Sequence, residues 1–174
     1  VALVSLGTGL GFAMAVDGCL LTNDLGSPLV PIYNRPYRDG ILEDYVSKRG
    51  FLRGYKSITV KELAERAFGG DKESMARFDE CGNILGQAIA PILEKLGVNR
   101  LLLGGQISRS YELFSHSLEA ALSRVPTLRK ISSVSDISDA TFNGLRELAR
   151  RSADGEPICA DRDTDRRILE MLAV

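Results

Sequence analysis

Leu6-Gly7-Thr8-Gly9-Leu10-Gly11 lies between two strand-forming runs, Val1-Ala2-Leu3-Val4-Ser5-Leu6 and Phe12-Ala13-Met14-Ala15-Val16. The first run is apolar enough for a buried strand. The second closes on Asp17-Gly18, a pair that favours a tight hairpin turn, and Cys19-Leu20-Leu21 returns as a third strand. The glycine-rich segment is therefore a turn joining antiparallel strands. Glycines let successive backbone amides converge on a phosphate, and Thr8 adds a hydroxyl donor. A plain tight turn uses the same residues. Dinucleotide and Walker fingerprints are excluded, because a strand follows instead of a helix and no Gly-Lys-Ser/Thr is present.

Beyond the hairpins, Thr22 to Asp39 holds Pro28, Pro31 and Pro36 among short polar residues, which suits an irregular excursion over the surface. Asn23-Asp24 reads as a turn within it. Helices follow. One is expected from Ile41 to Lys48, ending at Gly50; a second starts at the capping box Thr59-Val60-Lys61-Glu62 and stops at Gly69-Gly70. Asp71 can cap a long third helix with Met75, Phe78, Leu85, Ile89, Ile92 and Leu96 on one face. Pro91 should kink it, and Gly82, Gly86 and Ala90 would admit another backbone at close range.

A short apolar strand is expected over Arg100 to Leu103, then Gly104-Gly105 and an amphipathic helix containing Tyr111, Leu113, Phe114, Leu118 and Leu122. A further strand near Leu128 to Ile131 leads to helices near Asp139 to Arg151 and Asp161 to Leu172. The strand that breaks at paired glycines before a helix lets a flat ligand lie against bare backbone. His116, on the helix after Gly105 with apolar neighbours, reads as structural.

With 174 residues, 44% of them hydrophobic, the chain can bury one compact core. Its 22 basic and 23 acidic residues leave a net charge of −1, which provides no field for sequence-independent binding of nucleic acid or anionic membrane. Cys19, Cys81 and Cys159 are far apart and lack metal-ligand spacing, as expected of reduced cytoplasmic thiols. No apolar run approaches the roughly 18 residues of a membrane span. Val1 reads as a strand already in progress, as in a piece of a longer polypeptide.

The segments Leu6 to Gly11, Gly40-Ile41-Leu42-Glu43-Asp44-Tyr45-Val46-Ser47 and Leu102-Leu103-Gly104-Gly105-Gln106-Ile107-Ser108, in that order, resemble the ROK family of bacterial sugar kinases and repressors, within the actin-like ATPase superfamily. Asp136 to Ala140 with Gly144 is similar to its closing helix. The resemblance implies an α/β, ribonuclease-H-like lobe, a mixed sheet with antiparallel hairpins covered by helices. It spans residues 1–152, with 153–174 as a helical tail. It implies that Gly7, Thr8 and Gly9 contact the phosphates of ATP brought with Mg2+, that Gly104, Gly105 and Gln106 border the adenosine, and that Glu43 takes sugar hydroxyls.

Two departures from the family matter. Its Glu-x-Gly-His and Cys-x-Cys-Gly-x-x-Gly-Cys motifs are missing: Gly26-Ser27-Pro28-Leu29-Val30 stands in place of the first, and Ile41 in place of the last cysteine. No zinc site is expected, and Tyr33, Pro36 and Tyr37 are the candidates to hold that loop by packing. The family's N-terminal lobe, with its phosphate loop and catalytic base, is expected before Val1, so no catalytic residue is assigned in this chain. The expected function is the C-terminal lobe of a sugar kinase, silent by itself, or of a sugar-sensing regulator or pseudokinase. A homodimer through the long helix is a further expectation. A third reading, a structural module, has Phe12 crowding the phosphate region.

Overall fold

The glycine turn joins two antiparallel strands in the computed structural model, which describes residues 1–134 and 136–173. β1 (Ala2–Leu6) and β2 (Leu10–Val16) pair with Leu6 opposite Leu10, and β3 (Cys19–Leu20) adds to β2. Asp17 and Gly18 have φ of 49° and 80°, the two left-handed positions of a type I′ turn. The irregular stretch that follows is less superficial than its composition suggests: Val30 and Ile32 are buried. Asn23 is the expected turn, its side-chain oxygen accepting from the Leu25 and Ser27 amides.

β4 (Pro36–Tyr37) and β5 (Gly40–Ile41) form a separate small hairpin. The single helix expected over Ile41 to Lys48 is two short ones, α1 (Glu43–Val46) and α2 (Lys48–Phe51). Ser47 breaks them apart with extended backbone, and its hydroxyl accepts from the Arg49 amide to start α2. Gly50 does not end a helix; it lies within α2, its α-carbon packed close to the Tyr45 carbonyl. α3 (Val60–Phe68) has the full capping box, with Thr59 and Glu62 exchanging hydrogen bonds.

Asp71 caps α4 (Lys72–Lys95) as expected, and the helix runs unbroken through the exposed Pro91. Met75 is 44% exposed and off the core face, which uses Cys81, Ile84 and Leu93 in addition to the residues expected. β6 (Arg100–Gly104) follows, parallel to β1. In place of one amphipathic helix there is a 3-10 segment, Gln106–Leu113, and then α5 (Ser115–Leu122). The last elements are β7 (Lys130–Ser133), parallel to β6, then α6 (Ile137–Asp154) and α7 (Arg162–Leu172). Val174, the end of the expected tail, lies outside the described residues.

The main sheet has the order β3-β2-β1-β6-β7. One face is fully buried: Ala2, Val4 and Leu6 align with Phe12, Met14, Leu101 and Leu103 against the apolar sides of α4 and α5. Phe51, Phe78 and Phe114 cluster with ring centroids 5.1 to 6.5 Å apart and tie α2, α4 and α5 into that core. Cys81 lies there too, donating to the Tyr45 carbonyl, and burial pushes its thiol up to about 12. Phe12 also faces this core at 5% exposure, so it does not crowd the glycine turn.

Gly82 and Gly86 do admit another backbone, and it is that of α5. A Cβ on Gly82 would stand 2.7 Å from the Phe114 carbonyl oxygen, and one on Gly86 would stand 2.6 Å from Ala121 Cβ. These small residues are used inside the chain, against α5. Gly82→Ala should force α5 outward and cost about 2 kcal/mol, read as a lower urea midpoint that does not vary with protein concentration.

Candidate functional site

β1 and β6 are parallel neighbours, so Leu6-Gly7 and Gly104-Gly105 leave the sheet at the same end. That end, outside the carboxyl termini of parallel strands, is where open α/β sheets bind ligands. Ser5 pairs with Gly104. One residue on, Gly105 takes a φ of 84° and lies so close to β1 that a Cβ would meet the Leu6 carbonyl oxygen at 2.2 Å. Ser108 is buried and fastens this turn, its hydroxyl donating to the Gly105 carbonyl at 2.7 Å. The exposed Gln106 follows at the start of the 3-10 segment.

The turn itself opens onto a cavity of about 520 Å3 lined by Ser5, Gly7 to Gly11, Tyr33 and Glu43. Thr8 is exposed at its tip. Gly104, Gly105 and Gln106 do not line this cavity; they lie at the end of the neighbouring strand, where Gly105 abuts Leu6. A larger cavity of about 710 Å3, lined by Met14, Leu96, Val98, Ile168 and others, lies at the opposite end of the sheet. Its walls are mostly apolar, and none of the site residues expected from the sequence reaches it.

Glu43 is held against the turn. Its Oε2 accepts from the Leu10 amide at 2.9 Å, its Oε1 accepts from Arg49 Nη2 at 2.8 Å, and the space where Gly9 would carry a Cβ is taken by Oε2. Arg49 Nη1 also reaches Asp44 Oδ1 at 3.1 Å. From the other side, the Lys48 amide donates to the Gly7 carbonyl at 2.8 Å. The short helices α1 and α2 thus grip the glycine turn at both ends. Arg49 and Ser47 carry this grip and were not singled out from the sequence; the break at Ser47 that positions them is invisible without the tertiary fold.

The loop that lacks the family's cysteines is fixed by aromatic and cationic groups. Tyr37 packs edge-on to Tyr45 at 4.9 Å, Tyr45 donates to Asp39, and the Arg53 guanidinium lies 4.5 Å from the Tyr45 ring. Pro36 pairs with Ile41, whereas Tyr33 is turned outward to the cavity. Among the described residues there is no group of three His, Cys, Asp or Glu that could hold a metal ion. His116 is exposed on α5, far along the chain from this site.

Comparison with known structures gives the same architecture. A Cytophaga hutchinsonii protein assigned as a sugar kinase superposes with a TM-score of 0.72 and 24% identity, over 86% of this chain and 57% of that one. A ROK family transcriptional regulator, a homologue of the E. coli MLC protein, superposes at 0.62 with 22% identity, over 76% of this chain and 41% of its own. A ROK family glucokinase from Streptomyces griseus, solved with glucose and AMPPNP, gives 0.60 with 18% identity, over 76% and 54%. The fold is that of the ROK proteins. The chain spans roughly two fifths to three fifths of the proteins it matches. No protein-family model matches its sequence, and no curated protein does.

The grip on the turn can be tested in this chain without a ligand. Glu43→Ala leaves the Leu10 amide without its acceptor and should cost about 1 to 2 kcal/mol in urea unfolding. Glu43→Gln, which keeps a side-chain oxygen for that amide, should cost clearly less.

Proposed function

We propose that the chain is the C-terminal, nucleotide-facing lobe of a ROK-type sugar kinase, with residues 1–152 as the lobe and 153–174 as a helical tail. The observation that carries the reading is the convergence of the Gly7-Thr8-Gly9 turn with Gly104-Gly105-Gln106 at one end of the sheet. Two of these glycines are demanded by the fold: Gly105 abuts Leu6 and Gly9 abuts Glu43. Gly7 and Gly104 are not. A Cβ on Gly7 would meet nothing within 4 Å, and one on Gly104 would make only ordinary contact with Leu3. Gly7 is partly exposed, and glycine at an open position with room for a side chain suits close approach by something outside the chain, such as phosphates, whereas Gly104 is buried within the sheet.

In this reading Gly7, Thr8 and Gly9 hold the phosphates of ATP, which arrives with Mg2+ and supplies the phosphoryl group. Gly104, Gly105 and Gln106 border the adenosine, and Glu43 accepts from sugar hydroxyls through the lone pairs that Leu10 and Arg49 leave open. The chain's own contribution is positioning; a base and the rest of the cleft belong to an N-terminal lobe of the same polypeptide. α6 supports a second lobe, since none of its residues is buried and its Phe142 and Leu145 are 68% and 58% exposed. Phe68 and Met75, exposed on α3 and α4, are the apolar groups a homodimer would draw on. The free thiols Cys19, Cys81 and Cys159 suit the cytoplasm, and no helix among the described residues is long and apolar enough to cross a membrane.

A sugar-sensing regulator or pseudokinase is the second reading. Both oxygens of Glu43 are already engaged, and a ROK regulator has the same fold. Calorimetric titration of Mg-ATP, and separately of hexoses and amino-hexoses, into this chain and into a longer form including what precedes Val1 separates the two. The kinase-lobe reading expects nucleotide binding that Gly7→Ala or Thr8→Ala weakens roughly ten-fold with an unchanged urea midpoint. If neither form binds nucleotide and a sugar binds, the sensor takes its place.

A further inference from the structure

We propose that Arg49 is a positioning residue that ties the Glu43 carboxylate to the phosphate turn, so that sugar and nucleotide each bind more tightly when the other is present. This rests on the kinase-lobe reading of the site. One guanidinium spans two carboxylates, Nη2 to Glu43 Oε1 at 2.8 Å and Nη1 to Asp44 Oδ1 at 3.1 Å. Each carboxylate uses its other oxygen to hold backbone: Asp44 accepts from the Ile41 amide of β5 at 3.1 Å, and Glu43 from the Leu10 amide of the turn at 2.9 Å. Arg49 therefore links the small hairpin to the phosphate turn. Its own helix starts from the fully buried Ser47, whose hydroxyl accepts from the Arg49 amide.

A carboxylate offers about four lone-pair sites, and the Leu10 amide and Arg49 occupy two of them on Glu43. Sugar hydroxyls that take the remaining two leave the clasp intact. By fixing the carboxylate they also fix the Leu10 amide and with it the turn that is to receive phosphates. Linkage is reciprocal, so a nucleotide that orders the turn tightens the sugar by the same factor. Charge acts in the same direction. Without Arg49, Glu43 and Asp44 place two unbalanced negative charges beside a phosphate site.

Arg49 is suited to a clean test because its side chain is 60% exposed, and exposed ion pairs contribute little to folding. AMPPNP with Mg2+ is titrated into the longer form that includes what precedes Val1, with and without a saturating hexose, glucose first. Wild type, Arg49→Met and Arg49→Lys are compared, and the Leu10 amide resonance is followed in this chain. The hexose should tighten AMPPNP about ten-fold in wild type, a common size for coupled sites. Arg49→Met should still bind the hexose and lose the enhancement. Arg49→Lys, a point charge that cannot fork between two carboxylates, should retain more nucleotide affinity and still lack the enhancement. The Leu10 resonance should move with hexose in wild type and stay in place in Arg49→Met. Equal enhancement in wild type and Arg49→Met, or none in wild type although both ligands bind, overturns the role of Arg49 and leaves the kinase-lobe reading standing. Failure of both ligands to bind sinks the two together.

Discussion

The backbones of β1 and β6 approach so closely at Leu6 and Gly105 that no side chain fits between them. That parallel contact brings together two segments nearly a hundred positions apart at one end of the sheet. The intervening chain must cross over the sheet to allow it, and it does so through the long α4, whose apolar face fills the core beneath β1 and β6. With a side chain at position 105 the strands could not close. The glycine turn and the Gly104 edge would then be unrelated loops.

The second constraint is the grip of α1 and α2 on the turn. A glycine-rich hairpin is mobile by composition, and a mobile turn must lose entropy before its amides can converge on anything. Here the cost is met in advance by a few hydrogen bonds: the Lys48 amide to Gly7, the Leu10 amide to Glu43, and Arg49 behind Glu43. The same carboxylate that the family resemblance gives to the sugar is therefore bound into the glycine turn.

Most of the fold was legible in local chemistry. Asp17-Gly18, the Thr59 to Glu62 capping box and Asp71 each act through residues a few positions away, so sequence alone carries them. What was not legible depends on distant contacts. Ser47 looks like one more residue of a helix, and only the packing of Tyr45 and Phe51 into the core makes it the break between two. Phe12 looked like an obstacle to phosphate until the strand register turned it to the buried face. Gly82 and Gly86 offered a close approach without saying to whom. Glu43 was marked by the resemblance, yet Arg49, six positions on, could be linked to it only when the helix break brought the two together.

The central claim, that the turn and the Gly104 edge form one nucleotide site, is tested most directly by mapping backbone amide resonances during addition of AMPPNP and Mg2+. The account predicts that the perturbed amides are those of Gly7 to Gly11 together with Gly104 to Gln106, and that they move with a single affinity. Perturbations confined to the cavity lined by Met14, Leu96 and Ile168 at the far end of the sheet, or to only one of the two segments, would contradict it.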